Sequence, residues 1–139
     1  MEILNDEATP ELGAAVQRIT GLPMQERRRS GKNLGEIMVI AHAAIAAEAG
    51  GNITILMDDS GGRKIAATEQ RRLDRLRRYS PEIGSIHLLS TLTVLEAACI
   101  RKHIPDKATL QILYRRLRVL DDGLLPLTNT NLLRLSCWD

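Results

Sequence analysis

The chain has 139 residues, of which 44% are hydrophobic and 26% are charged, so it fits one globular domain and excludes a disordered chain. Aromatic residues make up only 2%, which predicts an aliphatic core and disfavours a site that stacks single-stranded bases on aromatic rings. A net charge of +2 does not by itself indicate a nucleic-acid-binding protein.

Cysteine usage and the N-terminal segment favour a cytoplasmic protein. The two cysteines, Cys99 and Cys137, are too few for a disulfide framework and too far apart in sequence for a zinc site. No stretch approaches the ~20 apolar residues of a membrane span, and the first seven residues are acidic where a signal peptide would be basic. We therefore expect free thiols in a reducing compartment.

The first third of the chain predicts two helices. Residues 10–20 have helical apolar spacing and precede a Gly-Leu-Pro break at 21–23. Residues 25–32 are polar and basic. A second helix is expected from a cap at Ser30 or Asn33 to about residue 49. Its expected apolar stripe consists of Leu34, Ile37, Met38, Ala41 and Ile45.

The middle of the chain predicts a strand, a helix and a second strand. Residues 52–57 are β-branched and nearly all apolar, as in a parallel strand buried on both faces. A helix is expected over about 63–79 and a strand over 85–90. This order indicates an α/β fold with a parallel sheet. Glu2-Ile3-Leu4 is a candidate remnant of a further strand.

The last part predicts two more helices. The first covers about 91–103, and the second begins at Pro105-Asp106 and continues to about 120. Asp121-Asp122-Gly123 ends it, and the pattern predicts no clear element in the remaining tail.

Acidic side chains follow the first predicted strand. Asp58 and Asp59 lie at its carboxyl end, where open α/β sheets bind ligands. Two adjacent carboxylates repel each other unless a cation or proton intervenes, and Mg²⁺ or Mn²⁺ prefers such oxygen ligands. Alternatively, one Asp caps the helix that begins near Gly62 and the other is solvated. Glu36 is a second candidate, in the first turn of its helix.

These residues together resemble the PIN-domain family. The resemblance covers about residues 30–105 and rests on three motifs: Leu34-Gly35-Glu36, the strand-to-helix run with Asp58-Asp59 and Arg63, and the helix start Thr91-Leu92 with Leu95. It implies an α/β three-layer sandwich in which helices flank a short, mostly parallel sheet. We expect a single domain of this kind over residues 1–139.

The resemblance also implies a function. PIN domains are metal-dependent ribonucleases, and many are toxins of toxin–antitoxin pairs. Glu36, Asp58 and Asp59 match the family's acids, which are catalytic and hold Mg²⁺ or Mn²⁺ against the RNA phosphodiester. Arg63 matches the basic residue after them, where it either pairs with a carboxylate or contacts substrate. Thr91 either caps its helix or contacts substrate. An antitoxin partner and a homodimer are further expectations of the resemblance.

The sequence departs from the family pattern at its N-terminus. No segment matches the family's first strand with its Asp, and Ile37 to Ile40 follow Glu36 where a further acid is common. We therefore expect an N-terminally truncated or degenerate member with weaker metal binding and an exposed sheet edge. Asp6 or Glu7 is a candidate substitute for the missing acid. The alternative is a catalytically impaired module that binds a protein partner or RNA without cleavage. A response-regulator receiver is a weaker alternative. Its acid pair would lie on the first strand of the domain, whereas the pair here lies in the middle of the chain.

Basic residues provide a separate indication of RNA binding. Each of three basic runs is either a solvated helix surface or a set of phosphate contacts. The runs consist of Arg27, Arg28, Arg29 and Lys32; of Arg63, Lys64, Arg71, Arg72, Arg75, Arg77 and Arg78; and of Arg115, Arg116 and Arg118.

Overall fold

The computed structural model describes residues 9–30 and 33–139, without the side chains at 27, 28 and 30. The chain forms two compact units, one ending at Leu88 and the other consisting of Leu89–Asp139. Whether the two units make one domain stays a prediction. The expectations for Glu2-Ile3-Leu4, Asp6, Glu7 and Lys32 lie outside the described residues.

Three helices open the first unit: α1 (Pro10–Thr20), α2 (Met24–Ser30) and α3 (Leu34–Glu48). The predictions of α1 and α3 are confirmed. Gly21 ends α1 in the left-handed region at φ 74°, which glycine adopts without strain. The helix α2 was not predicted, because its seven residues contain a single apolar side chain, Met24, and so show no periodicity.

A strand–helix–strand unit follows, made of β1 (Asn52–Leu56), α4 (Ser60–Arg77) and β2 (Ser85–Leu89). The two strands form a parallel two-stranded sheet, which confirms the α/β class. The helix α4 begins three residues earlier than predicted.

The prediction that β1 is buried on both faces is wrong. Ile55 is buried, whereas Thr54 is exposed and Leu56 is 58% exposed. Successive side chains of a strand point to opposite faces, and the buried cluster around Ile55 draws on α3, α4 and β2. One face of β1 therefore packs on helices, and its other face is exposed.

The helix α3 is the centre of the first unit. One side packs with α4 and the sheet through Ile40 and Ala44, which were not in the predicted stripe. The other side packs against α1 and α2 through Ile37 and Met38, which belong to the predicted stripe. A helix that is apolar on both sides is typical of a buried position. Its start, near Glu36, is thereby fixed relative to β1 and α4.

The second unit contains α5 (Thr91–Ile100), α6 (Lys107–Leu120) and three short 3₁₀ helices at Leu127–Asn129, Leu132–Arg134 and Ser136–Trp138. The helix predicted to begin at Pro105-Asp106 is confirmed as α6, and Asp106 is its cap. The helix α5 ends earlier than expected. One core cluster joins α5, α6 and the C-terminal segment. Among the described helices, none has the length and apolar character needed to cross a membrane.

Candidate functional site

The carboxyl end of β1 leads directly into α4, and Asp59 lies at this junction. Asp59 is the residue before the first turn of α4, and its Oδ2 accepts a hydrogen bond of 2.7 Å from the Gly62 N–H. This is an N-cap, the structural role that the sequence left open for one of the two Asp residues. The cap fixes the orientation of the Asp59 carboxylate, because one of its oxygens is held by the backbone.

Glu36 lies beside the same turn, although 21 residues separate it from Asp58 in sequence. A Cβ added to Gly62 would lie 3.2 Å from both Cβ and Cγ of Glu36 and 2.5 Å from Sδ of Met57. A side chain at this position would displace the Met57 sulfur and press against Glu36. Gly62 therefore allows the first turn of α3 to approach the first turn of α4, and Glu36 and Asp59 both contact the surroundings of this glycine.

Asn33 is a neighbour of the site that the sequence indicated only as a helix cap. It precedes α3 in a left-handed conformation at φ 54°, and its side chain makes no cap hydrogen bond. A Cβ on Gly61 would lie 3.5 Å from Asn33 Nδ2 and 3.1 Å from Asp59 Oδ2. The amide of Asn33 is thus next to the first turn of α4, where it adds a neutral polar group near Asp59.

Arg63 contacts the strand end from within α4. Its Nη1 donates a 2.8 Å hydrogen bond to the carbonyl oxygen of Met57, the residue after β1. This bond ties the first turn of α4 to the end of the strand. The bond gives Arg63 a structural role, and a role in substrate binding stays a prediction.

The predicted metal ligands are partly brought together. Glu36 and Asp59 lie at one helix turn, but no three His, Cys, Asp or Glu side chains in the described part of the chain form a group that could hold a metal ion. Magnesium is usually bound through one or two carboxylates, with waters and substrate phosphates completing its shell. Glu36 and Asp59 are the candidates for a site with two carboxylates. Coordination by Glu36, Asp58 and Asp59 together stays a prediction.

Thr91, the second predicted substrate-binding residue, begins α5 and belongs to the other unit. The cap of α5 is Ser90, whose Oγ accepts a 3.2 Å hydrogen bond from the Thr93 N–H. The interpretation of Thr91 as the cap is therefore wrong, because Ser90 is the capping residue and Thr91 is the first residue of the helix. A contact of Thr91 with substrate is untested.

The structure divides the basic residues of α4 into two groups. Arg72 pairs with Glu48 and Glu69, and Arg77 pairs with Asp74 and bonds the carbonyl oxygen of Gly84. The second group is exposed and has no recorded ion pair within the described ranges. It consists of Lys64, Arg71, Arg75 and Arg78, which we call the α4 basic stripe.

The members of the α4 basic stripe are separated by seven, four and three residues, so they lie on one face of the helix. At 1.5 Å per residue the stripe is about 21 Å long. It begins at Lys64, one turn after the Asp59 cap, and continues toward the end of α4. The sequence showed the excess of arginine, but it did not show which arginines are used by internal ion pairs.

Comparison of the chain with protein-family models, with curated proteins and with solved structures finds no match in any of the three.

Proposed function

We propose that the chain is a PIN-like ribonuclease of the toxin type, which hydrolyses RNA phosphodiesters with a bound Mg²⁺ or Mn²⁺. The observation that supports this best is that Cβ and Cγ of Glu36 lie beside Gly62, whose N–H donates to Asp59, since the two acids come from distant parts of the sequence. A purely structural cap would need Asp59 alone. The PIN-like motifs assign a role to both acids.

In this proposal, Glu36 and Asp59 hold the cation, with Asp58 as a further candidate. When bound, such a cation activates a water molecule and neutralises charge that develops on the phosphate. The Gly62 N–H holds Asp59 in position, and the carbonyl of Met57 holds Arg63. Both side chains are therefore oriented before substrate binds, which reduces the cost of ordering them.

Two substitutions test this site without removing the helix cap. Asparagine caps helices about as well as aspartate, so Asp59→Asn removes the charge and keeps the cap, while Glu36→Gln keeps the shape of its side chain. We expect Mn²⁺-dependent cleavage of single-stranded RNA by the wild-type chain and a loss of at least about 100-fold in each variant, because a catalytic cation contributes several kcal/mol.

Asp106→Asn is the matched control. Asp106 caps α6 with a hydrogen bond of 2.7 Å to the Thr109 N–H, so the substitution changes the same group in the same local geometry in the other unit. Its cleavage rate should equal that of the wild type. An equal loss in Asp106→Asn, or a wild-type chain that neither cleaves RNA nor binds Mn²⁺ in calorimetry, contradicts the proposed nuclease.

A second candidate function is RNA binding without cleavage, and the α4 basic stripe favours it. Four exposed cations on one helix face can follow the phosphates of a single strand, and such contacts make binding salt-dependent and insensitive to sequence. This function requires no metal, so it fits a chain in which the described residues lack a group of three metal ligands.

The salt dependence of binding tests the stripe. Four phosphate contacts to a single strand predict a slope of about −2.8 for log Kobs against log salt concentration. The double variant Arg71→Gln/Arg75→Gln should reduce the slope to about −1.4, as measured by fluorescence anisotropy with a labelled oligonucleotide.

The control for the stripe is Arg115→Gln/Arg116→Gln, which removes two exposed cations from α6. If the α4 basic stripe binds the RNA, this control keeps the wild-type slope. Equal slopes for the two double variants would contradict the assignment to α4. RNA binding with a slope near −2.8 and no cleavage at any Mn²⁺ concentration would replace the first candidate function by the second.

A further inference from the structure

The two cysteines lie in one core cluster, although 37 residues separate them in sequence. Cys99 is on α5 and is completely buried. Cys137 is in the last 3₁₀ helix and is partly buried, packed against the same cluster. The prediction that both cysteines are free thiols is confirmed. The fold of the second unit brings both to one core cluster.

Lys102 joins the backbones of the two cysteines. Its N–H donates a 3.0 Å hydrogen bond to the carbonyl oxygen of Cys99, and its Nζ donates to the carbonyl oxygen of Cys137. Lys102 adopts the left-handed conformation at φ 61°, which ends α5 and directs the chain away from the helix axis. One residue therefore holds both cysteine backbones, and Lys102 also places a positive charge next to Cys137.

The C-terminal segment is held at this position by its own contacts. The indole N–H of Trp138 donates a 2.7 Å hydrogen bond to the carbonyl oxygen of Leu132, a buried member of the same cluster. Leu135 and Cys137 pack against that cluster on either side of Ser136. Cys137 is thus a fixed neighbour of the α5 core and not part of a free tail.

We infer that Cys99 and Cys137 form a redox-active thiol pair, which a peroxide converts to a disulfide that joins α5 to the C-terminal 3₁₀ helix. The inference concerns the Leu89–Asp139 unit and is independent of the proposed nuclease. A pair of this kind is reversible, because a thiol reductant restores both cysteines.

The two thiols have different roles in the reaction. Burial, and then the neighbouring Cys137 and Glu96, raise the pKa of Cys99, so its thiolate is disfavoured. Cys137 is more accessible than Cys99, so it reacts first. Its sulfur attacks one peroxide oxygen, the O–O bond breaks, and the products are a sulfenic acid and one water.

The second step closes the disulfide. The Cys99 sulfur attacks the sulfur of the Cys137 sulfenic acid, an S–S bond forms and the S–O bond breaks. The leaving hydroxide takes the proton of the Cys99 thiol and becomes the second water. In total, two thiols are oxidised to one disulfide and one hydrogen peroxide is reduced to two waters.

Intact-mass spectrometry of the full chain tests this pair. The reduced protein is treated with hydrogen peroxide, quenched with an alkylating reagent and denatured before the measurement. We expect the wild-type chain to lose two hydrogens and to take up no alkylating group. Cys137→Ser should keep Cys99 reduced, and Cys99→Ala should give a sulfenic acid at Cys137 that dimedone traps.

Lys102→Met provides a finer test, with Lys107→Met as the control. Lys107 is an exposed lysine in the first turn of α6 and has no described contact with either cysteine. Lys102→Met should slow disulfide formation at least about tenfold, since it removes the hydrogen bond that holds the Cys137 backbone beside α5. Lys107→Met should react at the wild-type rate.

Three results would overturn the inference. The first is alkylation of both thiols in the peroxide-treated wild type, and the second is a disulfide between two chains in place of the internal one. The third is oxidation of Cys137 in the wild type to sulfinic acid with Cys99 still reduced. Cys99→Ala changes a buried residue, whereas Cys137→Ser changes a partly exposed one. If Cys99→Ala does not fold, Cys137→Ser still tests the inference.

Discussion

Replacement of Gly84 by alanine should destabilise the first unit by about 3 kcal/mol or more, a large share of the 5–15 kcal/mol by which domains are usually stable. A Cβ at Gly84 would lie 1.8 Å from the carbonyl oxygen of Gly51 and 2.5 Å from its carbonyl carbon. Both are backbone atoms, so no side-chain rotation relieves the overlap.

The position of Gly84 explains the size of this effect. Its N–H donates a 2.8 Å hydrogen bond to the carbonyl oxygen of Ala47, and the next N–H, from Ser85, donates a 3.0 Å bond to Gly51. These bonds join the start of β2 to the end of α3 and the start of β1. Separation of Gly84 from Gly51 would therefore weaken the only strand pairing in the described sheet.

Gly13→Ala is the matched control for Gly84→Ala. Gly13 lies within α1, and a Cβ there would meet no atom within 4 Å. Alanine is favoured over glycine inside helices, so this variant should be more stable by about 0.5–1 kcal/mol. Urea denaturation, monitored by circular dichroism, measures the change in the free energy of unfolding of both variants. Equal transition midpoints for the two variants would show that the close approach of Gly84 to Gly51 is absent in solution.

The elements that the sequence predicted well are those determined by local patterns. The helix α1 has regular apolar spacing and a glycine at its end, and α6 has Asp106 as its cap. The strand β1 is a short β-branched run, and β2 is a short, mostly apolar run after the glycine at 84. The helix α2 lacks any such pattern, since six of its seven residues are polar. Its single buried side chain, Met24, gives no period to detect.

The candidate site was predictable in its residue types but not in its geometry. The motifs identified Glu36, Asp59 and Arg63, and all three lie around the start of α4. The sequence did not reveal that Gly62 allows Glu36 to approach, because this contact joins distant residues. The sequence also did not reveal which α4 cations form ion pairs and which are exposed, since the pairing depends on carboxylates from α3 and from α4 itself.

Glu69 is the charged residue whose removal should have the largest effect on stability. It is only 4% exposed on α4, although no motif in the sequence distinguishes it from the surface acids. Arg18 from α1 donates to its Oε1, and Nε of Arg72 donates a 3.0 Å hydrogen bond to its Oε2. Arg72 also pairs with Glu48 of α3. One acid thus connects α4 to a helix far away in sequence.

The charges of this network support one another. Burial alone would lower the pKa of Arg72, but its hydrogen bonds to Glu48 and Glu69 and their negative charges raise it, so the guanidinium stays charged. Glu69→Ala would leave Arg18 and Arg72 without this acid. Removal of one partner from a buried ion pair typically costs 3–5 kcal/mol, and the partial exposure of both arginines reduces this to about 2–3 kcal/mol.

Asp74→Ala is the control for Glu69→Ala, since Asp74 makes one ion pair with Arg77 on the same helix and its side chain is 62% exposed. Exposed pairs of this kind contribute about 0–1 kcal/mol, so this variant should unfold at nearly the wild-type urea concentration. A double-mutant cycle of Arg18→Ala and Glu69→Ala then isolates the coupling between α1 and α4. Additive effects would mean that Glu69 stabilises its own helix only, whereas non-additivity of about 1 kcal/mol or more would show that this ion pair holds α1 against α4.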